Sequence, residues 1–445
     1  MAKTAAENGR KALRNIIAGE AGFYMEKNRI YMCIDMKSFF ASVECAERGL
    51  NPFTTNLVVA DESRGSGTIC LAITPRMKAS GVKNRCRVFE IPKSIKYITA
   101  KPRMRKYIDY AAEIYGLYLD YMDKSDIYVY SIDESFIDAT DYLKIYGKTP
   151  REYAKFLIGE IARRVGIPAT AGVGTNLYLA KVALDLTAKH SKDGVGYLDE
   201  QIFKDTLWDH RPLSDFWGIA NGISARLARK GIYTMRGIAN CPEEILYKEF
   251  GINAELIIDH AFGRESCTMP DIKKYRARTR SLSNSQVLFS DYEYKKARLV
   301  MEEMARSSCL ELMRRKSVTN RVGVYVGYSK GAHASTGGSS SLKITTNLSR
   351  YIIPAVMALF DRTTVKNVPI RRLGLTFDNL CDEGCEGYDL FTDMAEVERE
   401  RNISRAVLEI QNKFGKNAIV MAADLEDGAT LIERNKLIGG HNAGF

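Results

Sequence analysis

The amino-acid sequence predicts an α+β protein of several domains, and two observations support this. The chain has 445 residues, of which 45% are hydrophobic, so it is globular in composition but too long for one ordinary core. Short apolar runs of strand length occur together with amphipathic helical segments, a mixture typical of antiparallel sheets covered by helices. No apolar run approaches the roughly 18 to 20 residues that span a bilayer, so we expect a cytoplasmic protein without a membrane partner.

The first folded element follows a polar extension, residues 1–28. The run "RIYMCID" predicts a buried strand that ends at Asp35. The next segment, "MKSFFASVECAERGLNP", has helical spacing, with Ser38 as a candidate N-cap and Gly49 as a candidate C-terminal stop. A carboxylate is therefore expected where a buried strand ends and a helix is about to begin.

The stretch "DIYVYSIDESFIDAT" predicts a β-hairpin. Ile127 and Val129 alternate with Tyr128, and Asp133 and Glu134 lie at or near the bend. Helical patterns flank this hairpin in "YAKFLIGEIARRVG" and "NLYLAKVALDLTAKH". Together these segments predict an antiparallel sheet with helices on one face.

The second half of the chain has a helical segment, a linker and another mixed segment. The pattern is helical from about Leu207 to Phe262. Residues 271–280, "DIKKYRARTR", carry five Lys or Arg and one Asp, which makes them the best linker candidate. Residues 281–382 then combine strands such as "RVGVYVGYS" and "RRLGLTF" with a long helix.

The charge of the chain is uneven. The formal net charge is +11, whereas the last segment, 386–445, has 7 Lys or Arg and 11 Asp or Glu. The rest of the protein is therefore strongly basic, which suggests a polyanionic partner such as nucleic acid. Zinc is not expected, because the only close pair of cysteines in the sequence, Cys381 and Cys385, has no second pair at ligand spacing.

Asp35, Asp133 and Glu134 are the candidate catalytic residues. Three carboxylates at the ends of adjacent buried strands could coordinate two Mg²⁺ ions about 3.5 to 4 Å apart, the arrangement used for in-line phosphoryl transfer. Magnesium prefers oxygen ligands and takes the others from water and substrate phosphates. On the pattern alone a second interpretation stays open, in which two solvated turn acids lie near an unrelated buried aspartate.

Three motifs resemble those of the Y-family (UmuC/DinB) DNA polymerases, which copy past damaged template bases: "IDMKSFFASVE", then "SIDESFID" and "VGTNLYLAKVALD". The resemblance covers about residues 29–385 and implies a right-hand polymerase with a ferredoxin-like palm, small fingers, a helical thumb and an α/β little finger. Because Pro75 replaces a Tyr common in the DinB branch, the chain resembles the UmuC branch more closely. The implied domains are the palm (29–37 and 93–204), fingers (38–92), thumb (205–268), linker (269–284), little finger (285–385) and a C-terminal tail (386–445).

The resemblance implies a role for each residue of the acidic motifs. Asp35, Asp133 and Glu134 become metal ligands, and Met36 contributes its backbone carbonyl. One departure from the family pattern is Lys37, which stands where many relatives have a second acid.

The resemblance also implies the contacts of the incoming nucleotide. Phe40 falls at the steric gate, where an aromatic ring leaves no room for a ribose 2′-hydroxyl, while its neighbour Phe39 is a substrate-site candidate better suited to the core. Lys78, with Arg76 as a nearby alternative, and Lys189 are the cations expected at the triphosphate. Lys189 follows the Asp of its motif one residue later than in relatives.

Two further segments resemble parts of the family that hold DNA and a partner protein. "FWGIANGISARLARKGIYTMRGIA" resembles a helix-hairpin-helix, with Gly218 and Gly222 as candidate phosphate contacts. "EGYDLFTD" resembles a peptide that docks on a sliding clamp. Its candidate contacts are Tyr388, Leu390 and Phe391, and the linker cations expected to neutralise DNA phosphates are Lys273, Lys274, Arg276, Arg278 and Arg280.

The sequence therefore predicts a template-directed, low-fidelity DNA polymerase of the lesion-bypass type that uses two Mg²⁺ ions. Its expected partners are primed template DNA, dNTP, a sliding clamp and, as in some UmuC relatives, an accessory subunit. Two alternatives stay open: a nucleotidyl cyclase with a similar palm, and a non-catalytic DNA-binding or clamp-docking factor on the same fold.

Overall fold

The computed structural model describes residues 29–277, 280–388, 390 and 392–444, so the predicted N-terminal extension lies outside the described residues. The chain forms two compact units. The described part of unit 1 comprises residues 29–57, 72–81 and 107–274, and that of unit 2 comprises 58–71, 82–106 and 275–444. The segment predicted as fingers is thus divided between the two units.

The elements are numbered in chain order. The strands are β1 (Tyr31–Met36), β2 (Leu57–Val59), β3 (Ala72–Ile73), β4 (Ile98–Ala100), β5 (Ile127–Val129), β6 (Glu134–Asp138), β7 (Ala169–Gly174), β8 (Val195–Leu198), β9 (Leu282–Tyr292), β10 (Ser317–Tyr328), β11 (Thr336–Thr346), β12 (Ile370–Asp378), β13 (Cys381–Asp382), β14 (Leu437–Ile438) and β15 (His441–Asn442). The α-helices are α1 (Phe39–Ala46), α2 (Pro75–Ala79), α3 (Met104–Leu119), α4 (Tyr142–Ile145), α5 (Pro150–Val165), α6 (Leu177–Val182), α7 (Glu200–Leu207), α8 (Asn221–Ala228), α9 (Met235–Ala239), α10 (Glu243–Phe250), α11 (Asn253–Ala261), α12 (Met269–Lys274), α13 (Tyr294–Arg314), α14 (Ser349–Thr363), α15 (Met394–Phe414) and α16 (Leu431–Asn435).

Unit 1 is built on a five-stranded sheet in the order β5–β6–β1–β7–β8. Neighbouring strands are antiparallel except β7 and β8, which are parallel. Strand β1 lies in the middle, and its residues are buried apart from the half-buried Asp35 near its end. The predicted hairpin is confirmed by β5 and β6, whose connection contains Asp133.

Helix α5 shows how local sequence sets the helices of unit 1. Thr149 accepts a hydrogen bond from the amide of Glu152, whose side chain accepts one in return from the Thr149 amide, and Pro150 occupies the first turn. The helix ends at Gly166, which has φ 74°, a left-handed conformation that favours glycine. Its apolar face, including Leu157 and Ile161, is fully buried.

Helix α6 lies directly on the sheet. A Cβ at Gly172 would overlap with the carbonyl oxygen of Ala180, and one at Gly174 would overlap with the amide of Ala180, so this close packing requires glycine in β7. The helical segment continues as a π-helical turn, Ala183–Thr187, and a short 3₁₀ turn, Ala188–His190. The predicted helix is confirmed, but its second half has a wider turn than the sequence suggested.

The last helix of unit 1, α12, occupies the first part of the predicted linker. Met269 is buried and Ile272 packs against the same cluster of unit 1 as Tyr31 and Phe136. Strand β9 then begins at Leu282, three residues before the predicted start of the little finger. The connection between the two regular elements is therefore shorter than the segment 269–284.

Unit 2 contains a five-stranded antiparallel sheet in which β11, β10, β12 and β9 are neighbours in that order and the short β13 also pairs with β10. Its core joins residues of this sheet, such as Val324 and Leu375, to the apolar faces of α13 and α14. The segment predicted as a C-terminal tail contains the long helix α15, which is held to α14 by Arg350 with Glu400 at 2.7 Å. In the described part of the chain, no helix is both long and apolar enough to cross a membrane.

Candidate active site

The three acidic residues predicted from the sequence lie together in unit 1. In the antiparallel pairing of β1 with β6, Asp35 faces Glu134, and facing residues of such strands have Cβ atoms about 4.5 to 5.5 Å apart. The amide of Met36 donates a 2.9 Å hydrogen bond to the carbonyl of Asp133. This register brings Asp35 and Glu134 opposite each other, and it places Asp133 at the adjoining end of β6.

The crowding of these carboxylates has an electrostatic consequence. Burial raises the pKa of Asp35 to about 7, and the neighbouring charges of Asp133 and Glu134 add to this effect. Asp133 accepts a 2.7 Å hydrogen bond from the hydroxyl of Ser131. The site therefore concentrates negative charge in a partly buried place, where a cation would stabilise it.

Lys181 is a partner of this site that the sequence analysis missed. Its amino group lies 2.8 Å from Glu134 Oε1 and 3.2 Å from Asp185 Oδ2. Burial acts to lower the pKa of Lys181, but the hydrogen bond to Glu134 and the charges of Cys33, Glu134 and Asp185 together outweigh burial and raise it. The thiol of Cys33 also donates to Glu134 Oε1, at 2.9 Å. The i, i+4 spacing of Lys181 and Asp185 was visible in the sequence, but their contact with Glu134 was not.

Magnesium suits the donor set at this site. Among the described residues, no group of three or more His, Cys, Asp or Glu side chains is arranged to hold a metal ion, and Glu134 contacts Lys181 and Cys33. Three carboxylates and a main-chain carbonyl are nonetheless the hard oxygen ligands that Mg²⁺ prefers. The raised pKa of Asp35 reflects burial and a repulsion between carboxylates that a divalent cation would relieve.

Phe39 and Phe40 differ in their surroundings. Phe39 is 3% exposed and belongs to the core. Phe40 is half-buried, and its ring stacks on that of Tyr107 with centroids 4.5 Å apart. The adjacent Ser38 has φ 52° at the start of α1 and makes no side-chain capping hydrogen bond, so only its position as the N-cap is confirmed.

Two of the predicted triphosphate cations lie in the electrostatic field of Asp35. Lys78 is largely exposed, yet partial burial of its amino group lowers its pKa, an effect that Asp35 opposes and Lys189 reinforces. Lys189 in turn acts to lower the pKa of Asp35. Arg76, on the same helix as Lys78, is exposed. The charge of Lys37 also acts to lower the pKa of Lys78. Lys37, which stands where many relatives have an acid, therefore adds positive charge near the acidic site.

The late position of Lys189 has a structural explanation. The π-helical turn Ala183–Thr187 precedes it, and such a turn accommodates one extra residue within a helix. Asp185, inside that turn, accepts a 2.9 Å hydrogen bond from Lys189. The single-residue offset in the sequence therefore leaves Lys189 near the acidic site.

Comparison with known proteins identifies the family. Models of the impB/mucB/samB family and of its C-terminal domain match residues 34–185 and 279–390. The UV-damage repair protein UvrX of Bacillus subtilis (strain 168) is 32% identical over 93% of this chain and 97% of its own length. DNA polymerase IV 2 of the same organism is 33% identical over 94% of this chain and all of its own.

This chain belongs to the Y-family of DNA polymerases. A solved Y-family DNA polymerase chimera of Dbh and Dpo4 has the same fold, with a TM-score of 0.62 and 22% identity over 79% of this chain and 99% of the chimera. The expected right-hand α+β fold is confirmed. The closer relationship to the UmuC branch stays a prediction.

In the segment predicted as the thumb, helix α8 starts without a side-chain capping hydrogen bond. Gly218 has φ 88°, and Ala220 precedes α8 without a side-chain cap. Gly222 lies in the first turn of α8, with open space where a Cβ would point. Residues 220–222 are exposed, and the amides at such a helix start are suited to bind a phosphate oxygen.

The linker cations have different surroundings. In unit 1, Lys274 is exposed and Lys273 donates a hydrogen bond to the carbonyl of Lys124. In unit 2, Arg276 is exposed, whereas Arg280 forms a 2.8 Å ion pair with Asp382. Arg278 lies outside the described residues.

The predicted clamp peptide begins in contact with helix α15. The hydroxyl of Tyr388 accepts a 2.8 Å hydrogen bond from Arg401 on α15, and burial raises the pKa of Tyr388 to about 12. Leu390 is 100% exposed, which is unusual for a large apolar side chain. Phe391 lies outside the described residues.

Proposed function

We propose that this chain is a lesion-bypass DNA polymerase whose catalytic carboxylates are Asp35, Asp133 and Glu134. The register that sets Asp35 opposite Glu134, with Asp133 at the adjoining bend, carries the proposal. Membership of the Y-family and the names of its relatives, a UV-damage repair protein and a DNA polymerase, support the same activity.

In the proposed reaction the primer 3′-hydroxyl attacks the α-phosphate of the incoming dNTP and pyrophosphate leaves. Asp35, Asp133 and Glu134, with the carbonyl of Met36, would hold two magnesium ions. When bound, these ions supply the positive charge that activates the hydroxyl and neutralises the triphosphate. Lys181 orients Glu134, because its ammonium lies 2.8 Å from that carboxylate.

The remaining residues position the nucleotide. Lys78 and Lys189 neutralise the triphosphate, with the exposed Arg76 as an alternative on the same helix as Lys78. Phe40 packs under the sugar, and its stacking on Tyr107 fixes the ring so that a ribose 2′-hydroxyl would overlap with it. Discrimination against ribonucleotides then arises from steric repulsion.

The grip on DNA is sequence-independent in this proposal. The amides at the start of α8, near Gly218 and Gly222, bind phosphate oxygens, and Lys273, Lys274 and Arg276 neutralise neighbouring phosphates. Such binding should weaken steeply as salt increases. Leu390, fully exposed, is the anchor offered to a sliding clamp.

Primer extension by Asp133→Ala and Glu134→Ala variants tests the catalytic assignment. Each change should reduce the rate of extension by about a thousandfold or more, because the charge that develops in the transition state is no longer stabilised. The affinity for primed DNA should stay close to that of the parent. Glu113→Ala, which removes an exposed carboxylate, is the matched control and should extend normally.

The outcomes distinguish the alternatives. Extension that survived both substitutions would show that these acids are not catalytic. A cyclic nucleotide formed without extension would identify a cyclase, and DNA binding without any product in the parent would identify a non-catalytic factor. Extension across a defined abasic site, with and without the clamp, tests lesion bypass itself.

A further inference from the structure

The last described residues, 416–444, fold back onto other parts of unit 2, and we call them the clasp. One part of the clasp contacts the predicted little finger, residues 285–385. Another part contacts segments 58–71 and 82–106, here called the fingers segments. The clasp therefore bridges two parts of unit 2 that are far apart along the chain.

The little finger has a buried carboxylate that the clasp satisfies. Glu303 on α13 is fully buried. It accepts hydrogen bonds from the amide of Thr430 at 3.0 Å, from the Thr430 hydroxyl at 3.0 Å and from the amide of Leu431 at 3.2 Å. A buried carboxylate without donors is strongly unfavourable. This position of α13 is therefore suited to a docked clasp.

A second polar contact strengthens the same attachment. Arg306, one turn along α13, forms a 3.0 Å ion pair with Asp424, which is 4% exposed. Ion pairs that are buried to this extent resist screening by salt. The little-finger end of the clasp is thus held by two independent groups on one helix.

The far end of the clasp is bonded to the fingers segments. The guanidinium of Arg64 donates to the carbonyl of Gly440 at 3.0 Å. The amide of Arg105 donates to the carbonyl of Ala443 at 2.9 Å, and Ala443 is 1% exposed. The docked clasp therefore joins the fingers segments to the little finger within unit 2.

A large cavity of about 1700 Å³ adjoins the clasp inside unit 2. It exceeds the roughly 300 to 1,000 Å³ of a small-molecule pocket. The described residues that line it include eight Lys or Arg and four Asp or Glu, together with the polar side chains of β9. We call this cavity the passage, and the excess of basic over acidic side chains in its lining suits a polyanionic strand.

We propose that the clasp closes this passage around single-stranded DNA, so that the unpaired template is enclosed rather than only bound at a surface. The polymerase activity identifies which strand would occupy the passage, and the inference rests on it for that point. Enclosure adds a property that surface binding lacks: a strand can leave only through a free end or after the clasp opens.

Retention on circular and linear DNA tests enclosure directly. A primer is annealed to a closed single-stranded circle, to a linear strand of the same sequence, and to that linear strand with its ends blocked by a bound protein. After loading, a high-salt challenge removes surface-bound enzyme. The parent should stay on the circle and on the blocked strand severalfold longer than on the open linear strand.

Thr430→Pro is the variant that should open the clasp. It removes both the amide and the hydroxyl that Thr430 donates to Glu303, and the native φ of −125° does not suit proline. The loss of two buried hydrogen bonds should favour opening by about tenfold or more. Thr430→Val is the matched control, since it keeps the amide and the shape. Faster amide exchange at Arg105 in the proline variant would verify that the far end has been released.

The proposal expects the difference between circle and open linear DNA to disappear in Thr430→Pro and to persist in Thr430→Val. Equal retention in the parent, or a difference that survived in the proline variant after release of Arg105, would overturn it. Insertion of one nucleotide opposite a template overhang of one nucleotide does not require an enclosed strand. This assay therefore measures polymerase activity independently of enclosure. If Thr430→Pro does not fold, Glu303→Gln replaces it as the test variant, with the same criteria. This substitution replaces one of the two acceptor oxygens that face the clasp by an amide donor.

Discussion

Removal of the Lys181 ammonium should destabilise unit 1 through the buried acid that it leaves behind. Lys181 and Glu134 are 2.8 Å apart, and their side chains are only 11% and 10% exposed. In Lys181→Met the remaining donor to Glu134 is the weak thiol of Cys33, whereas Asp185 keeps Lys189. Breaking one side of a buried pair costs about 3 to 5 kcal/mol, so we expect the free energy of unfolding to fall by about 3 kcal/mol.

A double-mutant cycle isolates this interaction. Both tryptophans, Trp208 and Trp217, lie in unit 1, so their fluorescence during urea denaturation reports unfolding of that unit. Lys181→Met, Glu134→Gln and the double variant should show a coupling of about 2 kcal/mol, with the double variant more stable than additivity predicts.

The matched control for this cycle is an exposed pair. Lys155 contacts Asp193 at 2.8 Å with side chains 47% and 28% exposed, so Lys155→Met should cost less than about 1 kcal/mol. The reasoning would be refuted if Lys181→Met cost no more than the control, or if its effect and that of Glu134→Gln simply added. Loss of extension in Lys181→Met with unchanged DNA binding would further show that Lys181 positions Glu134.

Three other substitutions test individual contacts of the nucleotide and the clamp. Phe40→Ala should allow ribonucleotide incorporation in primer extension, whereas Phe39→Leu in the core should change stability and leave sugar discrimination unaltered. If Phe40→Ala discriminated against ribonucleotides as well as the parent does, Phe40 would not be the steric gate. Lys189→Ala should raise KM for dNTP by about tenfold, the effect of losing one charge-assisted contact. Replacement of the exposed Lys192 by alanine should leave KM unchanged. An equal rise of KM in both variants would indicate a general effect of charge. Leu390→Ala should reduce only clamp-stimulated synthesis, and an equal loss without the clamp would exclude docking at this residue.

The predicted and observed folds agree best where short-range patterns decide. The alternation in residues 127–138 predicted the hairpin, and the apolar run before Asp35 predicted the central strand β1. The linker was less predictable: the basic composition of 271–280 did not reveal that Ile272 packs against unit 1. Composition reports average polarity, whereas a helix can bury a single apolar face within a charged segment.

By itself the sequence determined the fold class, the family and the positions of the three acids at strand ends, because strand and helix periodicities and short motifs are local properties of the chain. The tertiary structure alone decided that Lys181 reaches Glu134, that a π-helical turn keeps Lys189 near Asp35, and that Thr430 donates to Glu303. Each of these depends on which elements pack together and in which register, and residues distant in sequence meet only when the packing of whole helices and sheets brings them within hydrogen-bond range.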